Sequence, residues 1–109
     1  MATIEDFEQL DLRVGRIVAA EPFPEARKPA YKLTIDFGPL GLRRSSAQLT
    51  DLYTLNDLMG RPVVAVINFP PRRIAGFLSE VLVLGVPDAE GRVALLMPER
   101  DVPLGGRVY

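Results

Sequence analysis

Tyr31-Lys32-Leu33-Thr34-Ile35-Asp36-Phe37 alternates apolar and polar side chains without a break. Successive side chains of an extended chain point to opposite faces, so Tyr31, Leu33, Ile35 and Phe37 share one side. Lys32, Thr34 and Asp36 take the other, as in a strand with one face on a core and one in water. Working outward, Gly38-Pro39 and Gly41 reverse the chain. A third strand follows from about Leu42 to Leu49, with Ser45, Ala47 and Leu49 on one face and Arg44, Ser46 and Gln48 on the other. Upstream, Pro24 to Pro29 forms a polar turn, and a first strand runs from Leu12 to an end near Pro22-Phe23-Pro24. Leu12 and Val14 share a face, yet the apolar set resumes at Ile17 and Ala19. This slip predicts a β-bulge at Gly15-Arg16, a device that curls a long strand around a small barrel.

Past Leu49 the period changes. Thr50 and Asp51 offer a helix cap, Leu52, Leu55, Leu58 and Met59 repeat at helical spacing, and Gly60 closes the segment. Pro62 leads into the β-branched run Val63-Val64-Ala65-Val66-Ile67, a buried strand. A loop is expected from Asn68 to Phe77. Strands follow at about Glu80–Val86 and Arg92–Met97, with Asp88 to Gly91 as their turn and a short last strand in residues 103–109. At the other end, Thr3 caps a short helix with Glu5 and Asp6 in its first turn. Its apolar pair, Ile4 and Phe7, must pack on the barrel or on a second subunit. Three strands, a helical segment and further strands predict an all-β chain. The expected architecture is an OB-fold five-stranded barrel, with a short helix between strands 3 and 4 and extra terminal elements. Residues 1–109 are expected to form one domain. SH3-like barrels lack that helix, and an immunoglobulin-like sandwich needs more evenly spaced strands.

Composition narrows the function. Of 109 residues, 48% are apolar, enough for one core, and no run of 18 apolar residues exists to span a bilayer. The first ten residues carry Glu5, Asp6 and Glu8 in place of a basic start and an apolar run, so the expected location is cytoplasmic, without membrane insertion. The chain has neither Cys nor His. That excludes disulfides, thiolate or imidazole metal sites and a Ser-His-Asp triad, so no enzyme, cofactor or metal is expected. Thirteen basic residues face fourteen acidic ones, which speaks against a diffuse attraction to nucleic acid but permits a local patch. Eleven of the thirteen are Arg, beside only Lys28 and Lys32. An Arg bias suits planar, bidentate recognition of phosphate or carboxylate; genomic base composition or thermal adaptation would account for it equally.

The segment Asn68 to Ser79 is the most informative for binding. Pro70-Pro71 stiffens the backbone ahead of Arg72 and Arg73, Gly76 permits a tight bend, Phe77 offers a ring and Ser79 a hydroxyl. Such a loop suits phosphate binding and base stacking. The same residues equally suit a solvated connector whose Phe69, Ile74 and Phe77 plug the barrel end. Arg43, Arg44, Ser45 and Ser46 lie on the third strand, where OB domains commonly present ligand surfaces. Asp36, Asp51, Asp57 and Glu80 belong to no acid–base motif, and Gly38-Pro39-Leu40-Gly41 lacks the ending of a phosphate-binding loop.

Several blocks together carry a resemblance. They are Asp6-Phe7-Glu8, Leu10-Asp11-Leu12-Arg13-Val14-Gly15-Arg16-Ile17, Phe23-Pro24-Glu25-Ala26-Arg27, Ser45-Ser46-Ala47-Gln48, Asn68-Phe69-Pro70-Pro71-Arg72-Arg73-Ile74-Ala75-Gly76-Phe77 and Ser79-Glu80-Val81-Leu82-Val83-Leu84-Gly85. On these the chain closely resembles the CsaA family and, more distantly, the tRNA-binding domain appended to some methionyl- and phenylalanyl-tRNA synthetases. The resemblance implies a homodimeric OB fold with an RNA-facing surface at Arg43, Ser45, Asn68, Arg72, Arg73, Gly76 and Ser79. It further implies an export-related chaperone that binds unfolded or precursor polypeptides, with the protein-export machinery as a possible partner. Phe69, Ile74 and Phe77, rimmed by Arg72 and Arg73, would line a peptide groove. The alternative is a binder of tRNA or other structured RNA. The wider tRNA-binding family reads Ser-x-Gly-Met where this chain has Ser79-Glu80-Val81-Leu82.

Overall fold

The computed structural model describes all residues from Met1 to Tyr109. Thr3 caps α1 (Ile4–Glu8) through a capping box with Asp6, as expected. The barrel is built from β1 (Leu12–Pro22), β2 (Tyr31–Asp36) and β3 (Leu42–Ala47), then, after the one-turn helix α2 (Leu55–Leu58), β4 (Pro62–Val66). Two short strands, β5 (Arg72–Ile74) and β6 (Phe77–Ser79), form a separate hairpin, and β7 (Leu82–Val83) returns to the barrel. A second hairpin, β8 (Gly85–Pro87) with β9 (Val93–Leu95), follows it. The main sheet is antiparallel in the order β3-β2-β1-β4-β7. This is the predicted OB barrel, with α2 between the third and fourth strands and additions at both ends.

Residues 79–81, which lead into β7, close the seam against β3. Ser45 Oγ donates to the Val81 carbonyl at 3.0 Å, and the Ser46 amide donates to Ser79 Oγ at 3.0 Å. The Arg44 amide donates to Glu80 Oε1 at 2.9 Å, while the Glu80 amide donates to the Arg44 carbonyl at 2.8 Å. Polar backbone that would otherwise lie unpaired is thus satisfied. Inside, the alternation of β2 delivers Leu33 and Ile35, joined by Ile17, Phe37, Leu49, Leu58, Val63, Ala65 and Val81. A satellite cluster of Phe23, Ala30 and Phe77 packs outside the barrel.

The structure corrects four local expectations. The bulge lies at Val18, not Gly15-Arg16: the β1–β2 register shifts between Ile17 and Ala19. Ile17 opposite Ile35 and Ala20 opposite Leu33 therefore both pack on the core. Gly15 is needed for a different reason, since a Cβ there would lie 2.5 Å from Ile35 Cγ2 and 2.8 Å from Phe37 Cε1. Leu12 and Val14 bond to the tail: the Val14 amide donates to the Gly106 carbonyl and the Val108 amide to the Leu12 carbonyl. That tail contributes one bridge, Arg13 with Arg107, in place of a last strand. The helix is capped by Thr54 with Asp57, not by Thr50 or Asp51. Finally, the second half of the expected loop is the β5–β6 hairpin.

Candidate ligand-binding groove

Ile74 pairs with Phe77, and between them Ala75 (φ 47°) and Gly76 (φ 82°) both take positive φ. Two such central residues define the tight turn whose twist matches a hairpin. Arg72 pairs with Ser79 and Arg73 with Leu78, so the two arginines lie on opposite faces. The hairpin docks on the outside of β2 and β3 through Phe77, which meets Phe23 edge-on with ring centroids 5.4 Å apart. Lys32 Nζ stands 4.9 Å from the Phe23 centroid and 5.6 Å from that of Phe77, and Arg44 Cζ lies 4.7 Å from the latter. Arg44 also bonds Glu21 at 2.9 Å. Both cations sit on ring faces, where the π charge attracts them.

Beside this cluster lies a groove of about 600 Å³. The turn before β2, the end of β3, the inner face of β5 and the β7–β9 region enclose it. Ile74, Leu82, Val83 and Leu95 supply apolar surface, and Arg27, Lys28 and Arg72 supply charge, with no carboxylate in the lining. Arg27, Lys28 and Arg72 make no ion pair within the chain, so their charge is available to a ligand.

The sequence-based set divides on this geometry. Arg72 lines the groove and Arg73 faces away from it. Arg43 has the inward parity of Ser45, opposite Ile35, and is half-buried. Ser45 is fully buried and its hydroxyl is used in the seam, which removes it from direct ligand contact. Ser79 is buried with its hydroxyl held by the Ser46 amide. Phe77 is only 6% exposed, so it is a plug and not a stacking surface. Gly76 is the hairpin turn. Asn68 ties remote segments together: its Oδ1 accepts from the Asp11 amide at 2.9 Å and its Nδ2 donates to the Gln9 carbonyl at 2.8 Å. Sequence reasoning missed Arg27, Lys28 and Lys32. For Lys32 the signal was present, since the parity of β2 turns it outward. No parity exists within the 24–29 turn to orient Arg27 or Lys28.

Three of the four carboxylates considered for acid–base work, Asp36, Asp57 and Glu80, have structural partners. Asp57 caps α2, and the Thr54 backbone and then side chain hold its carboxyl below the usual range, opposed by desolvation. Asp36 accepts from the Gly38 amide, and Glu80 closes the seam. No cluster of three or more metal-ligating side chains forms, and no helix is long and apolar enough to cross a membrane.

A five-stranded OB barrel bearing a cationic groove beside β3 defines a binding module. The profile described as "Putative tRNA binding domain" matches residues 12–107. The chain is similar to the crystal structure of the chaperone CsaA from Bacillus anthracis, at 56% identity and TM-score 0.93, covering 100% of this chain and 99% of that one. The CsaA chaperone protein of Picrophilus torridus matches at 47% identity, TM-score 0.93 and complete coverage of both chains. Methionine–tRNA ligase of Thermococcus onnurineus is 41% identical over 104 residues, 95% of this chain but 14% of the ligase. This chain thus belongs to the tRNA-binding domain family, in its CsaA branch. It spans about one-seventh of the curated ligases it matches, and what is shared with them is the non-catalytic tRNA-binding domain.

Proposed function

We propose that this chain is an export-related molecular chaperone that holds unfolded or precursor polypeptides in the groove beside β3, as a cytoplasmic homodimer. The observation that carries the reading is the groove itself, an apolar floor rimmed by three cations without internal ion-pair partners. A floor of this kind removes apolar side chains from water, which favours association without demanding one sequence. Similarity to two chaperones over the full chain supports it. Exposed Met97 and Val102 beside Leu104, with Ile4 on α1, supply apolar surface for a second copy.

The test is a binding titration with a reduced, unfolded polypeptide and with tRNA across a salt series. Affinity for an unfolded polypeptide should fall far less with salt than affinity for tRNA, and Leu82→Ser should weaken it several-fold, because Leu82 is 47% exposed within the groove. Absence of polypeptide binding, or indifference to Leu82→Ser, overturns the proposal. Light scattering should give about twice the 12.0 kDa chain mass at micromolar concentration. A second reading, tRNA binding through Arg27, Lys28, Arg72 and Arg73, is favoured by the family match over residues 12–107. It requires tRNA affinity to fall steeply with salt, as counterion release dictates.

A further inference from the structure

Six of the thirteen basic side chains, Arg13, Arg16, Arg44, Arg92, Arg100 and Arg107, form internal ion pairs. Lys32 rests on phenylalanine rings, and Arg61 lies over the Tyr53 ring while donating to the Asp57 carbonyl. Five have none of these engagements: Arg27, Lys28, Arg43, Arg72 and Arg73. Three of those five converge on one groove whose wall contains no carboxylate. Arg27 and Lys28 stand on the turn before β2, and Arg72 stands on β5, with the apolar floor between.

A carboxylate arriving there meets cations that have no internal partner to release. An arriving ammonium or guanidinium meets three like charges. Charge arrangements of this kind select among partners of equal hydropathy, by attraction and by repulsion. We infer that the groove selects polypeptide segments in which Asp or Glu flank apolar side chains, and rejects segments flanked by Lys or Arg. The inference rests on the polypeptide reading of the groove and names its substrate class. It carries a consequence for precursors. An export leader places basic residues before an apolar run, which mismatches this rim, so the segments held are acidic–apolar stretches of the mature part.

Two fluorescein-labelled peptides of equal length and identical apolar residues, one flanked by Glu and one by Lys, are titrated with the full chain by anisotropy. The Glu peptide should bind tighter by on the order of tenfold at low salt, with the ratio shrinking toward one near 0.5 M as screening sets in. The double variant Lys28→Glu/Arg72→Glu, at two exposed positions, should invert the order. Equal affinities, tighter binding of the Lys peptide, or an unchanged order in the double variant overturn the charge selection while the groove remains a polypeptide site. Failure of both peptides to bind, with unfolded polypeptide also unbound, overturns the polypeptide reading and this inference together.

Discussion

Replacing Phe77 tests whether one ring holds the β5–β6 hairpin on the barrel. The hairpin's strands pair only with each other. Beyond the seam bonds at Ser79 and Glu80, its docking depends on Phe77, packed at 5.4 Å and 62° against Phe23 and covered by Lys32 and Arg44. Phe77→Leu keeps most of the apolar burial and removes what only a ring provides. An aromatic pair contributes about 0.5–1.5 kcal/mol, and each of the two cation–π contacts about 0.5–1 kcal/mol at partly exposed sites. Sharing one ring makes these less than additive, so the expected loss is about 1–3 kcal/mol. Phe77→Ala also removes buried volume and should cost about 3–5 kcal/mol. Native-state hydrogen exchange locates the effect. Amides of Ile74 and Phe77 should exchange about 10- to 100-fold faster in Phe77→Leu, while those of Leu33 and Ile35 move much less. Hairpin exchange within twofold of the parent chain would refute the clamp.

Gly15→Ala forces a methyl to within 2.5 Å of Ile35 Cγ2 and should lower stability by about 1–3 kcal/mol in urea unfolding, with a smaller loss in a Phe37→Leu background. Ala75→Asn replaces the one non-glycine residue at positive φ by a residue that tolerates it and should stabilise by about 0.5–1 kcal/mol, read as a raised thermal midpoint. Acid should weaken the fold through Asp57 and Asp88. At Asp88 desolvation pushes the carboxyl up, but hydrogen bonds from the Arg92 and Glu90 amides and the Arg92 side chain outweigh it and lower the pKa. Both folded values thus lie below the ordinary 3.8. Their contribution is present at neutral pH and lost as pH falls below about 4. Denaturation midpoints measured from pH 6 to 2 should fall less steeply in Asp57→Asn/Asp88→Asn.

The barrel was legible because β2 declares its own faces: Leu33, Ile35 and Phe37 are buried and Lys32 turns outward, as the two-residue period requires. The same period hid the role of Gly15. A shift of apolar residues from even to odd positions reads as a bulge, yet here Val14 bonds to a tail some ninety residues away while Gly15 and Ile17 face the core. Only the three-dimensional course of residues 103–108 distinguishes these cases. Site residues show a related effect. Ser45, Asn68 and Ser79 look like surface hydrogen-bonding groups, but each satisfies backbone that barrel closure would otherwise strand. A sequence gives the chemical capacity of a hydroxyl or an amide, not the partner that uses it.

The same distinction bears on Val81, where the wider tRNA-binding family carries glycine. On sequence alone, a bulky residue in a binding motif suggests an altered ligand surface. In the folded chain Val81 is 5% exposed and belongs to the main core with Ile17, Leu33 and Leu58. Its carbonyl accepts the Ser45 hydroxyl across the seam. The side chain therefore fills space behind the wall of the groove, whose lining includes Arg72, Ile74 and Leu82 but not Val81. The choice between polypeptide and RNA accordingly turns on how Arg27, Lys28 and Arg72 meet an arriving anion, and Val81 carries no weight in it.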